Sequence, residues 1–271
     1  MKITKILSIA GSDSGGGAGI QADIKAISAN RAYAASVITA LTAQNTQGVQ
    51  GVLSVEPDFI AAQLDSVLSD IEFDAIKIGM LGVEATIKQV ATSLHQHVKA
   101  HAPIPIILDP VMVAKSGDSL LQDQAINSLI RDLIPMASII TPNLPEAAIL
   151  TGQPCPRTVN EMESLIPSLL ALGCPNILLK GGHLDGDQAD DLWITSTGNH
   201  WLHQPRITVK HSHGTGCTLS AALATFIGHG HSPFEAASLA KHYLTKALQT
   251  ADRLEIGKGI GPVDHFGLGA L

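Results

Sequence analysis

Aromatic residues are scarce in this chain: two Trp, two Tyr and five Phe make up 3% of 271 residues. Hydrophobic residues nevertheless reach 45%, so the core has to be built from Ala, Ile, Leu and Val. That composition argues against an aromatic-rich β-sandwich and for buried parallel strands with closely packed helices. Positive charge is also short, with 17 Lys+Arg against 24 Asp+Glu and a formal charge of −7. Binding along a nucleic-acid backbone needs a basic surface, so no nucleic-acid partner is expected. No apolar run approaches the roughly 18 residues of a membrane span. The N-terminus shows no signal-peptide cleavage pattern. A soluble, cytoplasmic protein with no membrane partner is the expectation.

Cys155, Cys174 and Cys217 are odd in number and show no metal-like spacing, which predicts free thiols. Twelve histidines include the pairs His95/His97, His211/His213 and His229/His231. The first pair lies on a probable helix, where positions two apart cannot share an ion. No cysteine or carboxylate stands beside the last pair. Surface histidines are therefore expected, with no transition-metal site.

Short apolar runs alternate with helical patterns along the whole length. Strands are predicted at Lys5–Ala10, Ala35–Leu41, Phe73–Gly79, Ile104–Asp109, Ala137–Thr141 and Asn176–Lys180. Between them Val83, Ile87, Val90, Leu94 and Val98 recur at helical spacing, as do Ile126, Leu129, Ile130 and Leu133. A further helix is predicted over Val159–Leu172, stopped by Gly173 and Pro175, and two more close the chain at Thr215–Gly228 and Pro233–Thr250. Asp190–Thr197 and His200–His203, around Gly198-Asn199, read as an edge hairpin. Alternating βα units imply a three-layer α/β fold, a mostly parallel sheet with helices on both faces. No repeat or linker divides it, so residues 1–271 are read as one domain.

Two glycine-rich turns stand out. His213-Gly-Thr-Gly-Cys217 opens the last-but-one helix. Such a turn aims unpaired N–H groups at one point, backed by the positive end of the helix dipole. It suits a phosphate or a phosphoryl group in transfer. Gly214, Thr215 and Gly216 would supply the amides, and the same field should make the Cys217 thiol lose its proton more readily than a free cysteine. The second segment, Gly11-Ser-Asp-Ser-Gly-Gly-Gly-Ala-Gly19, follows the first strand and leads into the helix Ile20–Ala29. It lacks the Gly-Lys-Ser/Thr of a Walker loop. A dinucleotide fingerprint fails too, because residues 39–46 contain no ribose-binding carboxylate.

This segment resembles the opening motif of the hydroxymethylpyrimidine and phosphomethylpyrimidine kinases of thiamine biosynthesis, members of the ribokinase-like superfamily. The resemblance continues through Thr42–Thr46, Lys77-Ile-Gly-Met-Leu81, Asp109-Pro-Val-Met112, Thr141–Ala147, Lys180-Gly-Gly-His183, His213–Cys217 and Gly257–His265. It implies an ATP- and Mg²⁺-dependent kinase, a homodimer, that phosphorylates the hydroxymethyl group of a small pyrimidine and then its monophosphate. Asn143 and Lys180 match positions near the ATP phosphates. Glu146 resembles the acid that holds magnesium-bound water, with Asp109 as the second metal candidate. Gln44 would read an aminopyrimidine edge with its planar amide. Asp23 would fix a ring nitrogen or hydroxyl, and Gly11, Met80 and Val111 would line the pocket. Cys217 stands where sugar kinases of this fold carry an aspartate base, so a thiolate base is expected there. Three other readings are weighed: a pyridoxal kinase of the same superfamily, a non-catalytic pyrimidine-binding regulator, and a thiol hydrolase using Cys217 with His211 or His213.

Overall fold

The computed structural model describes residues 3–100, 102–112 and 123–268. Its strands form one nine-stranded sheet in the order β3-β2-β1-β4-β5-β6-β7-β8-β9. They are β1 (Lys5–Asp13), β2 (Tyr33–Asn45), β3 (Gly48–Ser54), β4 (Ala75–Ile78), β5 (Ile106–Leu108), β6 (Ile139–Ile140), β7 (Asn176–Lys180), β8 (Asp191–Thr195) and β9 (Gly198–Leu202). From β2 to β7 every neighbouring pair is parallel. The predicted hairpin is present as β8–β9 at one edge. A second antiparallel strand, β3, closes the other edge against β2.

Alternation along the strands builds the three layers. Leu7 and Ile9 of β1, Ile106 and Leu108 of β5, and Ile177 and Leu179 of β7 face one apolar cluster. Ile6, Ile107 and Leu178, the residues between, face the other. Helices α2 (Pro57–Leu68), α3 (Glu84–Ala100) and α5 (Leu144–Thr151) pack on the first side. On the second lie α1 (Gly19–Ala29), α8 (Thr215–Gly228) and α9 (Pro233–Gln249), whose small alanines allow close approach.

Several boundaries differ from expectation. The predicted helix around Ile126–Leu133 is the short α4 (Asp123–Ser128) continued by a π-type turn at Leu129–Leu133. The helix over Val159–Leu172 is broken in two, α6 (Val159–Ser164) and α7 (Ile166–Leu170), with Pro167 at the start of the second. A proline lacks the N–H that would continue α6 through this point.

The order reverses at β1, which pairs with β2 on one side and β4 on the other. In open α/β sheets the crevice for a ligand forms beyond the carboxyl ends of strands at such a switch point. The ends of β1, β2, β4, β5, β6 and β7 bring Asp13, Gln44, Met80, Asp109, Asn143 and Lys180 to that edge.

Candidate active site

The N-terminal glycine segment is organised by one carboxylate. Asp13 Oδ1 accepts the Gly15 N–H at 2.8 Å, and Oδ2 accepts those of Gly17 and Ala18 at 3.1 and 2.9 Å. Gly16 N–H donates to the Asp13 carbonyl at 2.9 Å. Four consecutive amides are thus satisfied from within the chain. His213 Nε2 lies 2.9 Å from the same Oδ2. Burial opposes ionisation of Asp13, but the bonds from His213, Gly15 and Ala18 outweigh it and hold the carboxyl below its usual range.

The other turn is built differently. Gly214 caps α8 in the left-handed region at φ 78°, and among the described residues no side chain caps the helix. A Cβ at Gly214 would overlap the Gly17 carbonyl oxygen, so the two turns touch backbone to backbone and only glycine fits. The Thr215 hydroxyl donates to the Ser212 carbonyl at 2.6 Å, leaving its amide as the group available to a ligand. Gly216 lies over Asp109 and Lys180: a Cβ there would meet Asp109 Oδ2 at 3.4 Å and Lys180 Nζ at 3.5 Å.

Below this turn sits a cluster of two carboxylates and one ammonium. Lys180 Nζ donates to Asp109 Oδ1 at 2.9 Å and stands 3.9 Å from Glu146 Oε2. Thr141 Oγ1 donates to Asp109 Oδ1 at 3.0 Å, and Ser220 Oγ reaches Oδ2 at 3.3 Å. Burial works to raise the Asp109 pKa, but Lys180 and Lys77 together hold it low. Glu146 is pushed up to about 7 by burial, and the neighbouring Asp109 charge adds to this against the pull of Lys180. Glu146 also completes a capping box: it accepts the Asn143 N–H at 2.8 Å while Asn143 Oδ1 accepts the Glu146 N–H at 2.9 Å. Asn143 and Lys180 are joined by a parallel bridge across the strand ends. Two carboxyl groups flanking one ammonium form an oxygen donor set, which fits a hard divalent ion held partly by phosphate and water.

Gly11 and Met80 lie in contact. A Cβ at Gly11 would meet Met80 Cε at 2.7 Å, and Val111 is tied back to the Asp109 carbonyl at 2.8 Å. The Gln44 amide spans Thr42 Oγ1 at 3.1 Å and His213 Nε2 at 3.2 Å.

Two expectations need correction. Asp23 does not face the pocket: it is fully buried, with both oxygens on Lys77 Nζ at 2.9 and 2.8 Å and Ser8 Oγ donating at 2.6 Å. It falls in the buried stripe Ile20, Asp23, Ile27 that α1 turns toward the sheet. Nor is the pKa of Cys217 lowered. Burial pushes its thiol up to about 11, the Asp23 and Asp109 charges add to that, and the opposing pull of Lys77 and the Gly19 amide is too weak to reverse it. A helix dipole amounts to roughly half a charge and falls off within a turn; removal of a thiolate from water outweighs it.

Four residues in and around this site escaped the sequence reading. Lys77 is wholly buried, its ammonium held above the ordinary lysine range by Asp23, with Cys217 and Asp109 adding, although burial acts the other way. A lysine inside the apolar run Phe73–Gly79 was the signal. Asp13, an acid inside a glycine run, was another. His213 and His211 are not surface residues: the first bridges the two turns, and the second is 6% exposed with Nδ1 accepting the Gly261 N–H at 2.7 Å. Among the described residues no group of three or more His, Cys, Asp or Glu could hold a metal ion by itself.

Comparison with known proteins agrees with this geometry. A family model described as phosphomethylpyrimidine kinase matches residues 13–264. A hydroxymethylpyrimidine/phosphomethylpyrimidine kinase from Salmonella typhimurium is 52% identical over 266 residues, covering 98% of each chain. Among solved structures, the phosphomethylpyrimidine kinase of Clostridium difficile superposes with a TM-score of 0.79 at 41% identity, covering 91% of this chain and all of the other. An ADP complex of Bacillus subtilis pyridoxal kinase gives a TM-score of 0.89 at 32% identity, covering 98% and 99%. A shared motif order, a ribokinase-like sheet and a phosphate-type turn over an acid–lysine cluster thus meet in one molecule, and the chain belongs to the phosphomethylpyrimidine kinase family.

Proposed function

We propose that the chain transfers the γ-phosphoryl group of ATP to the hydroxymethyl oxygen of 4-amino-5-hydroxymethyl-2-methylpyrimidine, and then a second one to the phosphate so formed. The observation that carries this reading is the pairing of an uncapped α8 turn with a Lys180–Asp109–Glu146 cluster directly beneath it. Phosphoryl transfer passes through a loose transition state, so positioning and charge neutralisation matter more than a strong base. The hydroxymethyl oxygen bonds to phosphorus as the bond to the ADP oxygen breaks. Amides of Thr215, Gly216 and Cys217 receive the developing charge on the equatorial oxygens. Lys180 neutralises the phosphates, and Asn143 borders them. Asp109 and Glu146 would hold Mg²⁺, which would offset the negative charge of the phosphates. A thiol pushed up to about 11 is a poor base at neutral pH, so Cys217 lines the nucleophile's position and the hydroxymethyl proton leaves late, to water.

Gln44 reads the ring edge, with Gly11, Met80 and Val111 forming the floor and wall. Homodimerisation is supported by the β3 edge, where Val52 and Leu53 are exposed and Leu53 pairs with the exposed Leu41. Among the described residues no helix is long and apolar enough to cross a membrane, in keeping with a cytoplasmic enzyme.

A pyridoxal kinase is the second reading, favoured by the close superposition on the Bacillus subtilis enzyme. Against it stand 52% identity to a pyrimidine kinase and 32% to that pyridoxal kinase. ADP release measured with each ring decides between them. A higher kcat/KM for the pyrimidine is expected; a higher value for pyridoxal overturns the first reading, and no release with either ring overturns both.

A further inference from the structure

His213 Nε2 meets two groups with opposite demands. Asp13 Oδ2 stands 2.9 Å away and the amide nitrogen of Gln44 3.2 Å away. One ring nitrogen cannot donate to a carboxylate and also accept from an amide. Asp13 decides the matter. Its carboxyl is held ionised by the loop amides and is 3% exposed, so it can only accept, and Nε2 must carry a hydrogen. Two N–H groups would then face each other at Gln44. Turning the Gln44 amide end for end removes the conflict, since its oxygen and nitrogen occupy nearly equivalent places. The oxygen then shares the single Nε2 hydrogen with Asp13 Oδ2 in a bifurcated bond, and the amide nitrogen faces Thr42 Oγ1. That hydroxyl can receive it, because its own hydrogen goes to the Ser12 carbonyl at 3.0 Å.

The ring of His213 is held in place from every side. A Cβ at Gly17 would meet its Cδ2 at 2.5 Å. Its backbone N–H donates to the Gly261 carbonyl at 3.0 Å, and its own carbonyl accepts the Val263 N–H at 3.3 Å. With the ring fixed, the hydrogen on Nε2 dictates which end of Gln44 looks where.

We propose that Asp13 and His213 are a positioning pair that locks the orientation of the Gln44 amide, and thereby makes the pocket select an aminopyrimidine over the corresponding oxo ring. This rests on the ring-reading role given to Gln44 above. An amino ring offers an N–H beside a ring nitrogen that accepts. A 4-oxo ring offers the reverse, an oxygen beside a ring N–H. A locked amide complements only one of these patterns, whereas a free amide turns over to match either.

The test is calorimetric binding of 4-amino-5-hydroxymethyl-2-methylpyrimidine and its 4-oxo counterpart to wild type, His213→Ala and His213→Gln. Wild type should prefer the amino ring. In His213→Ala the preference should fall by about tenfold or more, the scale of one mismatched hydrogen bond. His213→Gln keeps an amide N–H within reach of Asp13 and should restore most of the preference. A merely structural role would weaken both rings alike and leave their ratio intact. If His213→Ala does not fold, a His213→Gln preference reduced to that of Asp13→Asn, whose amide lets the lock turn over, overturns the proposal; a His213→Gln preference near wild type with Asp13→Asn reduced supports it. An unchanged ratio in a folded His213→Ala overturns the proposal while leaving the kinase reading in place. Wild type that binds neither ring overturns both.

Discussion

Two glycine-rich turns meet at Gly17 and Gly214, and they account for their amides in opposite ways. In the N-terminal turn, Asp13 receives the N–H groups of residues 15, 16, 17 and 18 through its carboxylate and its carbonyl. The negative charge that such a nest attracts is supplied by the chain itself. In the second turn, no side chain among the described residues caps α8, and Gly216 lies over the Lys180 cluster. Glycine content therefore does not make an anion site. What matters is whether an acid within the loop has already filled it. On the proposed reading the first turn is scaffold for the substrate pocket, and the second would hold the phosphoryl group.

Gly214→Ala should do the most damage to this arrangement, because its methyl would strike the Gly17 carbonyl and push the turns apart. Misplaced amides cost roughly 10²–10³-fold in kcat by analogy with other oxyanion-type donors. Steady-state kinetics on the purified variant checks this; near-normal kcat would detach the turn from catalysis. Gly216→Ala is the milder control, since its Cβ would make only ordinary contacts with Asp109 and Lys180.

Asp13→Asn tests the scaffold half of the comparison. Bonds to an ionised acceptor are worth about 1.5–3 kcal/mol each, so urea unfolding should show a loss on the order of 2–3 kcal/mol. KM for ATP should stay within about threefold, a margin taken from the small effect expected of groups remote from the phosphates. The folded carboxyl of Asp13 sits below the ordinary aspartate value. Its contribution is thus complete above that value and is lost as pH falls through the lower, folded one. The variant should therefore lose part of the acid sensitivity of wild type. A variant as stable as wild type but unable to bind ATP would reverse the roles of the two turns.

Glu146→Gln sharpens the account of the open turn. The amide oxygen can still receive the Asn143 N–H, so α5 keeps its cap. One charge is removed from the proposed Mg²⁺ shell, so activity should fall about tenfold, and part of it should return as Mg²⁺ is raised. Unaltered magnesium dependence would leave Glu146 a capping residue alone.

The smallest effect is expected at Cys217. If its thiol stays protonated at neutral pH, Cys217→Ser should lower kcat by less than about tenfold, short of the 10²–10⁴ of a general base. A larger loss with binding intact would return the base role to the sulfur.

Much of this was legible in the sequence where one signal dominated. Asn176–Lys180 and Thr215–Gly228 match β7 and α8 residue for residue, because apolar runs bounded by glycine or charge leave little choice. β2 runs four residues beyond its apolar stretch, through Thr42-Ala-Gln-Asn45, since hydrogen bonds to the unforeseen β3 hold a polar segment extended. The eight-residue α5 was too short to show a period; its capping box at Asn143 and Glu146 was the readable sign. For the candidate site, Asp109, Asn143, Glu146 and Lys180 lie together at the strand ends. Asp23 and Cys217 were misjudged for one reason: desolvation depends on which way a helix face turns, and charge pattern alone does not reveal it.

The difference between the turns is most directly seen amide by amide. In ¹H–¹⁵N spectra, addition of Mg²⁺ and a non-hydrolysable ATP analogue should shift the amides of Thr215, Gly216 and Cys217 most, while those of Gly15, Gly17 and Ala18, already bonded to Asp13, move little. The largest shifts at Gly15, Gly17 and Ala18, with residues 215–217 unmoved, would contradict the assignment of the open turn as the phosphate site.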